Sequence, residues 1–153
     1  MLLGYVIWKP GERVTFSSCE QYQSFSLKQM SRVKYLSFVS DMDCINALNL
    51  NGYTSVVSIT IRGNSLQKVH SVEIDGLNAL RRVTIGSYSL AFTVTGSFRI
   101  VNCPKLQIIQ IGDRSFENYR SFELNILFSL QSIVIGDWCF KYAPSFSLTG
   151  LID

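Results

Sequence analysis

The chain has 153 residues, a length that suits a single domain. Its residues are 47% hydrophobic and 16% charged, against about 25% charged in a typical soluble domain, so the composition excludes an intrinsically disordered chain. No apolar run reaches the roughly 20 residues of a membrane span, and the 14 basic residues are scattered along the sequence, so we expect neither membrane insertion nor a nucleic-acid partner.

Residues 1–13 are the first element, which we predict to be an N-terminal strand or cap. The segment is apolar from Met1 to Trp8 and then breaks at Lys9-Pro10-Gly11. It has no basic region before its apolar part, and that part is too short for a secretion signal. An intracellular location is therefore favoured if Met1 is the natural start, whereas a cell-surface location stays open if the chain is a fragment of a longer protein.

Residues 14–153 are predicted to form one repeat domain with an incomplete last coil. The segment 106–116 recurs at 130–140, and the segment 121–127 recurs at 145–151, both with a shift of 24 residues. A repeat of this length cannot bury its apolar side chains alone, but stacked copies share one continuous core. The period therefore predicts a solenoid of about six coils.

Each coil contains two short segments in which every second residue is apolar, which is typical of strands. The second segment of each coil is spaced 23, 24, 26, 24 and 24 residues from the next, counted at Phe25, Leu48, Val72, Phe98, Phe122 and Phe146. We predict a mainly β, right-handed, leucine-rich-repeat-like solenoid with two short parallel strands per coil. The longer spacing predicts an enlarged loop at Ala91–Ser97.

Glycines follow the last residue of the first strand in the later coils, at Gly86, Gly112 and Gly136. We predict that they occupy corners with positive φ, a conformation that glycine tolerates. Asn64, Asp113 and Asp137 lie near these corners and suit turns in which a side chain bonds its own backbone.

Two motifs carry a resemblance to the leucine-rich-repeat superfamily, over about residues 14–153. Residues 96–106 resemble the cysteine-type variant, in which a strand is followed by Cys-x-x-Leu, here Cys103 to Leu106. The element Ile-Gly-Asp-x-Ser/Cys-Phe at 111–116 and 135–140 is similar to the BspA-like repeats of surface and adhesion proteins. The resemblance implies a solenoid that binds other proteins, although the Leu-Pro of the BspA-like strand is absent.

The cysteines are predicted to be core residues. Cys19, Cys44 and Cys139 share a repeat position with serines of other coils, and Cys103 shares an apolar position. Cys19 and Cys44 lie on adjacent coils, close enough to bridge, but reduced thiols better suit an intracellular chain. The sequence has no Cys-x-x-Cys, so we expect no metal site.

We expect no enzymatic activity and no cofactor. The single histidine, His70, falls between strands in a stretch expected to be an exposed loop, away from any cysteine that it could activate. The sequence also lacks a phosphate-binding loop.

The outward strand positions are the candidate binding surface, because repeat proteins bind through extended faces of their stacked coils. The predicted contact residues are Glu73, Arg99, Glu123, Arg82, Ile108 and Gln110. Arg99 is expected to form ion pairs with the glutamates of the neighbouring coils, Glu73 and Glu123. The alternative is that these positions are merely solvated, and Trp138 and Tyr142 are further apolar contact candidates.

The sequence therefore predicts a non-catalytic protein-interaction or adhesion module with an unidentified protein partner. The alternative is a structural element that docks through its open terminal coil, because the chain stops at Leu151-Ile152-Asp153, before a further first strand would begin. Unpaired strand edges favour such association.

Overall fold

A computed structural model describes residues 9–151, so residues 1–8 of the predicted N-terminal strand or cap lie outside the described residues. The first sheet consists of β1 (Arg13–Phe16), β2 (Tyr35–Phe38), β4 (Ser58–Ile61), β6 (Arg82–Ile85), β8 (Ile108–Ile111) and β10 (Ser132–Ile135). The second sheet consists of β3 (Ala47–Asn49), β5 (Ser71–Asp75), β7 (Gly96–Val101), β9 (Tyr119–Asn125) and β11 (Ser145–Thr149). Two short helices, α1 (Cys19–Gln23) and α2 (Leu27–Met30), complete the described elements.

The two sheets run along a β-solenoid of about six coils, roughly 24 residues apart, as the repeat predicts. Each strand pairs in parallel with the equivalent strand of the next coil, so that Ile59 lies beside Val83 and Val83 beside Ile109. Parallel pairing sets neighbouring coils about 4.8 Å apart. Every column of equivalent residues is therefore a continuous stripe along the molecule.

The first coil departs from the prediction, because helices replace its second strand. Ser26, which follows Phe25 in the segment predicted to be this strand, is instead the N-cap of α2. Its hydroxyl accepts a hydrogen bond from the Gln29 backbone N–H at 3.2 Å, and the Gln29 side chain accepts one from the Ser26 N–H at 2.8 Å. This capping box stabilises a helix start, and it outweighs the weak alternation at Phe25 and Leu27.

The core fills the space between the two sheets with side chains from alternate strand positions. The Phe122 ring is stacked between Phe98 and Phe146, with ring centroids 5.4 Å and 4.4 Å away. Phe98 and Phe122 are each 1% exposed, whereas Phe146, in the last described coil, is 51% exposed. The core is therefore closed in the middle of the solenoid and open at this end.

A column of small side chains fixes the corners after the first sheet. Ser65, Ser89 and Ser115 are fully buried, as predicted for this column. The Ser89 hydroxyl donates to the Arg62 carbonyl at 2.7 Å, and the Ser115 hydroxyl donates to the Gly86 carbonyl at 2.8 Å. Each hydroxyl thus joins its coil to the preceding one, which satisfies a buried polar group.

The cysteines divide into two pairs. Cys103 is fully buried and Cys139 is partly buried, as predicted for core residues. Cys19 and Cys44 form a disulfide between adjacent coils, with their Cα atoms 5.9 Å apart. Their expected closeness on adjacent coils is thus confirmed, whereas the expectation that the pair is reduced was wrong.

The corner glycines do not have the positive φ that we predicted. Left-handed residues lie two and four positions after these glycines instead, at Tyr88 and Leu90, Arg114 and Phe116, and Trp138 and Phe140, and at the equivalent Asn64 and Leu66, which follow Arg62. The glycines are needed because the coils approach closely at this point. A Cβ atom on Gly112 would lie 2.5 Å from the Ser87 backbone nitrogen of the preceding coil.

The extra residues of the fourth coil form an exposed loop before β7, in agreement with the predicted enlargement at Ala91–Ser97. Phe92 and Val94 are 75% and 68% exposed. The next coil holds the loop, since the Asn118 amide donates to the Ala91 carbonyl at 2.8 Å and the Arg120 guanidinium donates to the Val94 carbonyl at 3.2 Å.

The buried tyrosines Tyr53 and Tyr119 differ in whether their hydroxyl groups are hydrogen-bonded, and we expect their replacement by phenylalanine to have opposite effects on stability. The Tyr53 hydroxyl has no hydrogen-bond partner among the described residues, whereas the Tyr119 hydroxyl donates to the Val69 carbonyl at 2.5 Å. We expect Tyr53→Phe to raise the free energy of unfolding by about 1 kcal/mol, because it removes an unsatisfied buried group, and Tyr119→Phe to lower it by about 1 kcal/mol. Urea unfolding of both variants measures the difference, and equal effects would contradict it.

Candidate functional site

The outer face of the second sheet forms a groove of about 310 Å³, the second-sheet groove. One of its walls is a column of four serines in strand register: Ser71, Ser97, Ser121 and Ser145. The next outward column consists of Glu73, Arg99, Glu123 and Ser147. The alternation that buries every second side chain thus places hydroxyl and charged groups together on one outer face.

The charged side chains of the second-sheet groove are linked by ion pairs and hydrogen bonds between neighbouring coils. The Arg99 Nε donates to the Glu123 Oε2 at 3.1 Å, as predicted. The second carboxylate partner of Arg99 is Asp75, whose Oδ2 lies 3.5 Å from Nη1, and not Glu73, so that part of the prediction was wrong. Glu73 instead accepts a hydrogen bond from the Asn51 amide at 3.3 Å.

Asp75 explains the different pairing. It lies two residues after Glu73 on the same face of β5, diagonal to Arg99, and its other oxygen accepts a hydrogen bond from the Asn102 amide at 2.9 Å. The groove and its rim therefore hold three carboxylates and one guanidinium. The side chains of Arg99, Glu123 and Asp75 are 40%, 37% and 34% exposed, so they stay available to hydrogen-bond a polar ligand.

The other predicted contact residues lie on the first sheet. Arg82 and Ile108 are directly paired across β6 and β8, and Gln110 is exposed two residues further along β8. Arg82 and Ile108 line a separate groove of about 330 Å³, the first-sheet groove, together with Tyr35, Val57, Ser58, Arg81 and Gln107. The structure thus divides the six predicted residues between two faces.

Sequence reasoning placed Tyr35 beside Arg82 and Ile108 on the outward face of the first strands, but it missed Arg81 and Gln107 as members of the same group. Their repeat positions were the available signal, because Arg81 and Gln107 immediately precede equivalent strands and Tyr35 begins one. Arg81 and Arg82 are adjacent in the sequence, whereas Tyr35 and Gln107 are distant from them, and the strand register brings all four to one groove.

The corner after the first sheet carries an exposed aromatic and basic cluster. The Arg114 guanidinium lies between the rings of Tyr88 and Trp138, 5.8 Å and 5.6 Å from their centroids. The Lys141 ammonium lies 4.6 Å from the Trp138 ring centroid and 4.9 Å from that of Tyr142. Trp138 and Tyr142 are about half exposed, so both stay available for contact while holding these cations.

The histidine and the free cysteines were the residues that the sequence offered for covalent or metal chemistry. His70 is exposed, as predicted, and its backbone N–H donates to the Asn46 carbonyl at 2.8 Å. Burial raises the pKa of the Cys103 and Cys139 thiols. Within residues 9–151, no three His, Cys, Asp or Glu side chains are grouped closely enough to hold a metal ion.

Neither of the helices described here has the length or the apolar character needed to cross a bilayer. No protein-family model, curated protein or solved structure matches the chain. The architecture and the surface chemistry are therefore the basis for a functional proposal.

Proposed function

We propose that the chain is a non-catalytic protein-binding module whose partner occupies the second-sheet groove. The observation that carries this proposal is the ordered polar surface of that groove, in which four serine hydroxyls stand beside a charged column. Extended surfaces built by repetition are the usual binding faces of solenoid proteins.

The dimensions of the groove support a short segment of protein as its occupant. The four coils that line it span about 14 Å, since neighbouring coils are about 4.8 Å apart. That length corresponds to roughly four residues of extended chain. Serine hydroxyls can both donate and accept hydrogen bonds, so they suit the N–H and C=O groups of such a segment.

The Arg99–Glu123 pair offers the most direct test. We expect the double variant Arg99→Ala/Glu123→Ala to weaken binding to a partner identified by affinity capture by about tenfold, because it removes charged hydrogen-bonding groups from the groove. The affinity is measured by calorimetry with the purified partner. Because a half-exposed ion pair contributes about 0–1 kcal/mol to stability, the fold should persist.

Lys68→Ala is the matched control, because Lys68 forms an exposed ion pair with Asp43 outside the groove. It should leave the affinity unchanged. A partner that binds the double variant and the original chain equally well would remove the second-sheet groove as the site.

We also propose that the chain is a divergent member of the leucine-rich-repeat superfamily with BspA-like corners and a role in adhesion. Cys103 and Leu106, which carry the cysteine-type resemblance, are both fully buried beside β7, as a repeat framework requires. The two strands per coil differ from the single strand of common leucine-rich repeats. Beads coated with the chain should attach to cells that display the partner, and Arg99→Ala/Glu123→Ala should reduce attachment.

End-to-end assembly is the second candidate function, and the last described coil favours it. Phe146 and Leu148 are 51% and 46% exposed, whereas Phe122 and Leu124, one coil earlier, are almost fully buried. Within residues 9–151, β10 and β11 are the edge strands of the two sheets at this end of the solenoid. Light scattering at tens of micromolar tests the idea: a species larger than a monomer that Leu148→Asp disrupts would support it, and a monomer would exclude it.

A further inference from the structure

The positive charge of the chain is concentrated where the strands of the first sheet begin. The six strands and the four residues before each contain seven basic residues: Lys9, Arg13, Arg32, Lys34, Arg81, Arg82 and Lys105. The same segments contain one acidic residue, Glu12, which pairs with Lys34 at 2.9 Å. Half of the 14 basic residues but only one of the 11 acidic residues thus lie in this region, the basic edge.

The first-sheet groove lies on the basic edge and has a definite shape. Ser58 of β4 stands in register between Tyr35 and Arg82, which have much longer side chains. Val57 also lines this groove, and Ile108, Arg81 and Arg82 line it on the following coils. The first-sheet groove therefore combines the small Ser58 side chain with aromatic, aliphatic and cationic side chains.

Arg81 and Arg82 have the charge to bind an anionic group there. Both side chains are exposed, and no carboxylate of the described residues forms an ion pair with either. A guanidinium presents paired N–H donors that match the two oxygens of a carboxylate. Tyr35, Val57 and Ile108 add apolar surface beside these donors.

We propose that the basic edge binds an acidic protein segment, with a carboxylate on Arg81 and Arg82 and a neighbouring apolar side chain in the first-sheet groove. Charge complementarity requires a partner with negative charge. The apolar side chains of the groove favour a peptide over a sugar-phosphate backbone. This site is on a different sheet from the second-sheet groove and goes beyond the function proposed above.

The probe is a short, capped, fluorescein-labelled peptide in which glutamates alternate with leucine and serine, and its fluorescence anisotropy reports binding. Arg81→Ser/Arg82→Ser should weaken binding by about tenfold, because the charged hydrogen bonds are lost. Arg114→Ser/Lys141→Ser, which changes the net charge equally at the aromatic corner, should change it by less than about twofold, since exposed charges act weakly beyond a Debye length.

Other outcomes would overturn the proposal. Absence of peptide binding at low salt would do so, as would equal losses in the two double variants, because binding would then follow net charge alone. Phosphatidylserine vesicles or a DNA duplex could bind more tightly than the peptide. If Arg81→Ser/Arg82→Ser abolished that binding, the basic edge would belong to another class of partner. Thermal unfolding verifies that each variant is folded, and Arg99→Ala/Glu123→Ala should bind the peptide normally, which separates this site from the second-sheet groove.

Discussion

Replacing Phe122 by alanine should lower the free energy of unfolding by about 3–5 kcal/mol, the usual cost of deleting a fully buried aromatic side chain. The ring is 1% exposed and contacts three other rings, those of Phe98, Phe140 and Phe146, with centroids 5.4 Å, 4.6 Å and 4.4 Å away. These rings lie on the coils before and after that of Phe122, so the cavity cannot be closed by moving one of them. Urea unfolding monitored by circular dichroism measures the loss.

Phe146→Ala is the control, because Phe146 occupies the same repeat position one coil later. Its ring is half exposed and stacks on Phe122 from one side, so we expect a cost of only about 1 kcal/mol. If the two variants lose the same stability in dilute solution, the last coil is covered and the exposure of Phe146 described above does not hold.

Gly112→Ala should destabilise the fold by about 3 kcal/mol, the upper end of the usual cost of overpacking, because the added methyl group meets backbone. The Cβ atom would lie 2.5 Å from the Ser87 nitrogen and 2.7 Å from the Ser87 Oγ. The Gly112 N–H donates to the Ile85 carbonyl at 2.7 Å, so separating the coils to relieve the clash would break this hydrogen bond. Chemical denaturation gives the difference in stability.

Gly76→Ala distinguishes close packing from backbone conformation. Gly76 has a φ of +71°, but a Cβ atom there would meet no atom within 4 Å. Its cost should be limited to the left-handed conformation, about 1 kcal/mol. A larger loss for Gly76→Ala than for Gly112→Ala would mean that the close approach of the coils is not what requires Gly112.

Periodicity was enough to predict the solenoid, because the alternation that buries one face also fixes strand register. The pairs Ile109–Ile133 and Phe122–Phe146 lie side by side as the 24-residue shift requires. The helices of the first coil were missed because their signal is local: Ser26 and Gln29 form a capping box inside a segment that fits the repeat. Hydrogen bonds between near neighbours outweighed the apolar alternation there.

The candidate site was predictable only in part. The outward positions of Arg99 and Glu123 follow from alternation, and their ion pair follows from the repeat register. The contact of Arg99 with Asp75 is diagonal across two strands and depends on side-chain reach, which the register does not determine. The basic edge was missed for a different reason, since its members are far apart in the sequence and become neighbours only when the coils stack.

The two sheets of the solenoid carry different local charge, so the electric field differs between its two sides. Seven basic residues lie on the first-sheet side, while the charges in and beside the second-sheet groove are mainly carboxylates. A charged partner would be turned by this field before it touches the surface, and the effect would reach about 8 Å at physiological ionic strength. Salt should therefore slow association more than it speeds dissociation, whichever face the partner uses.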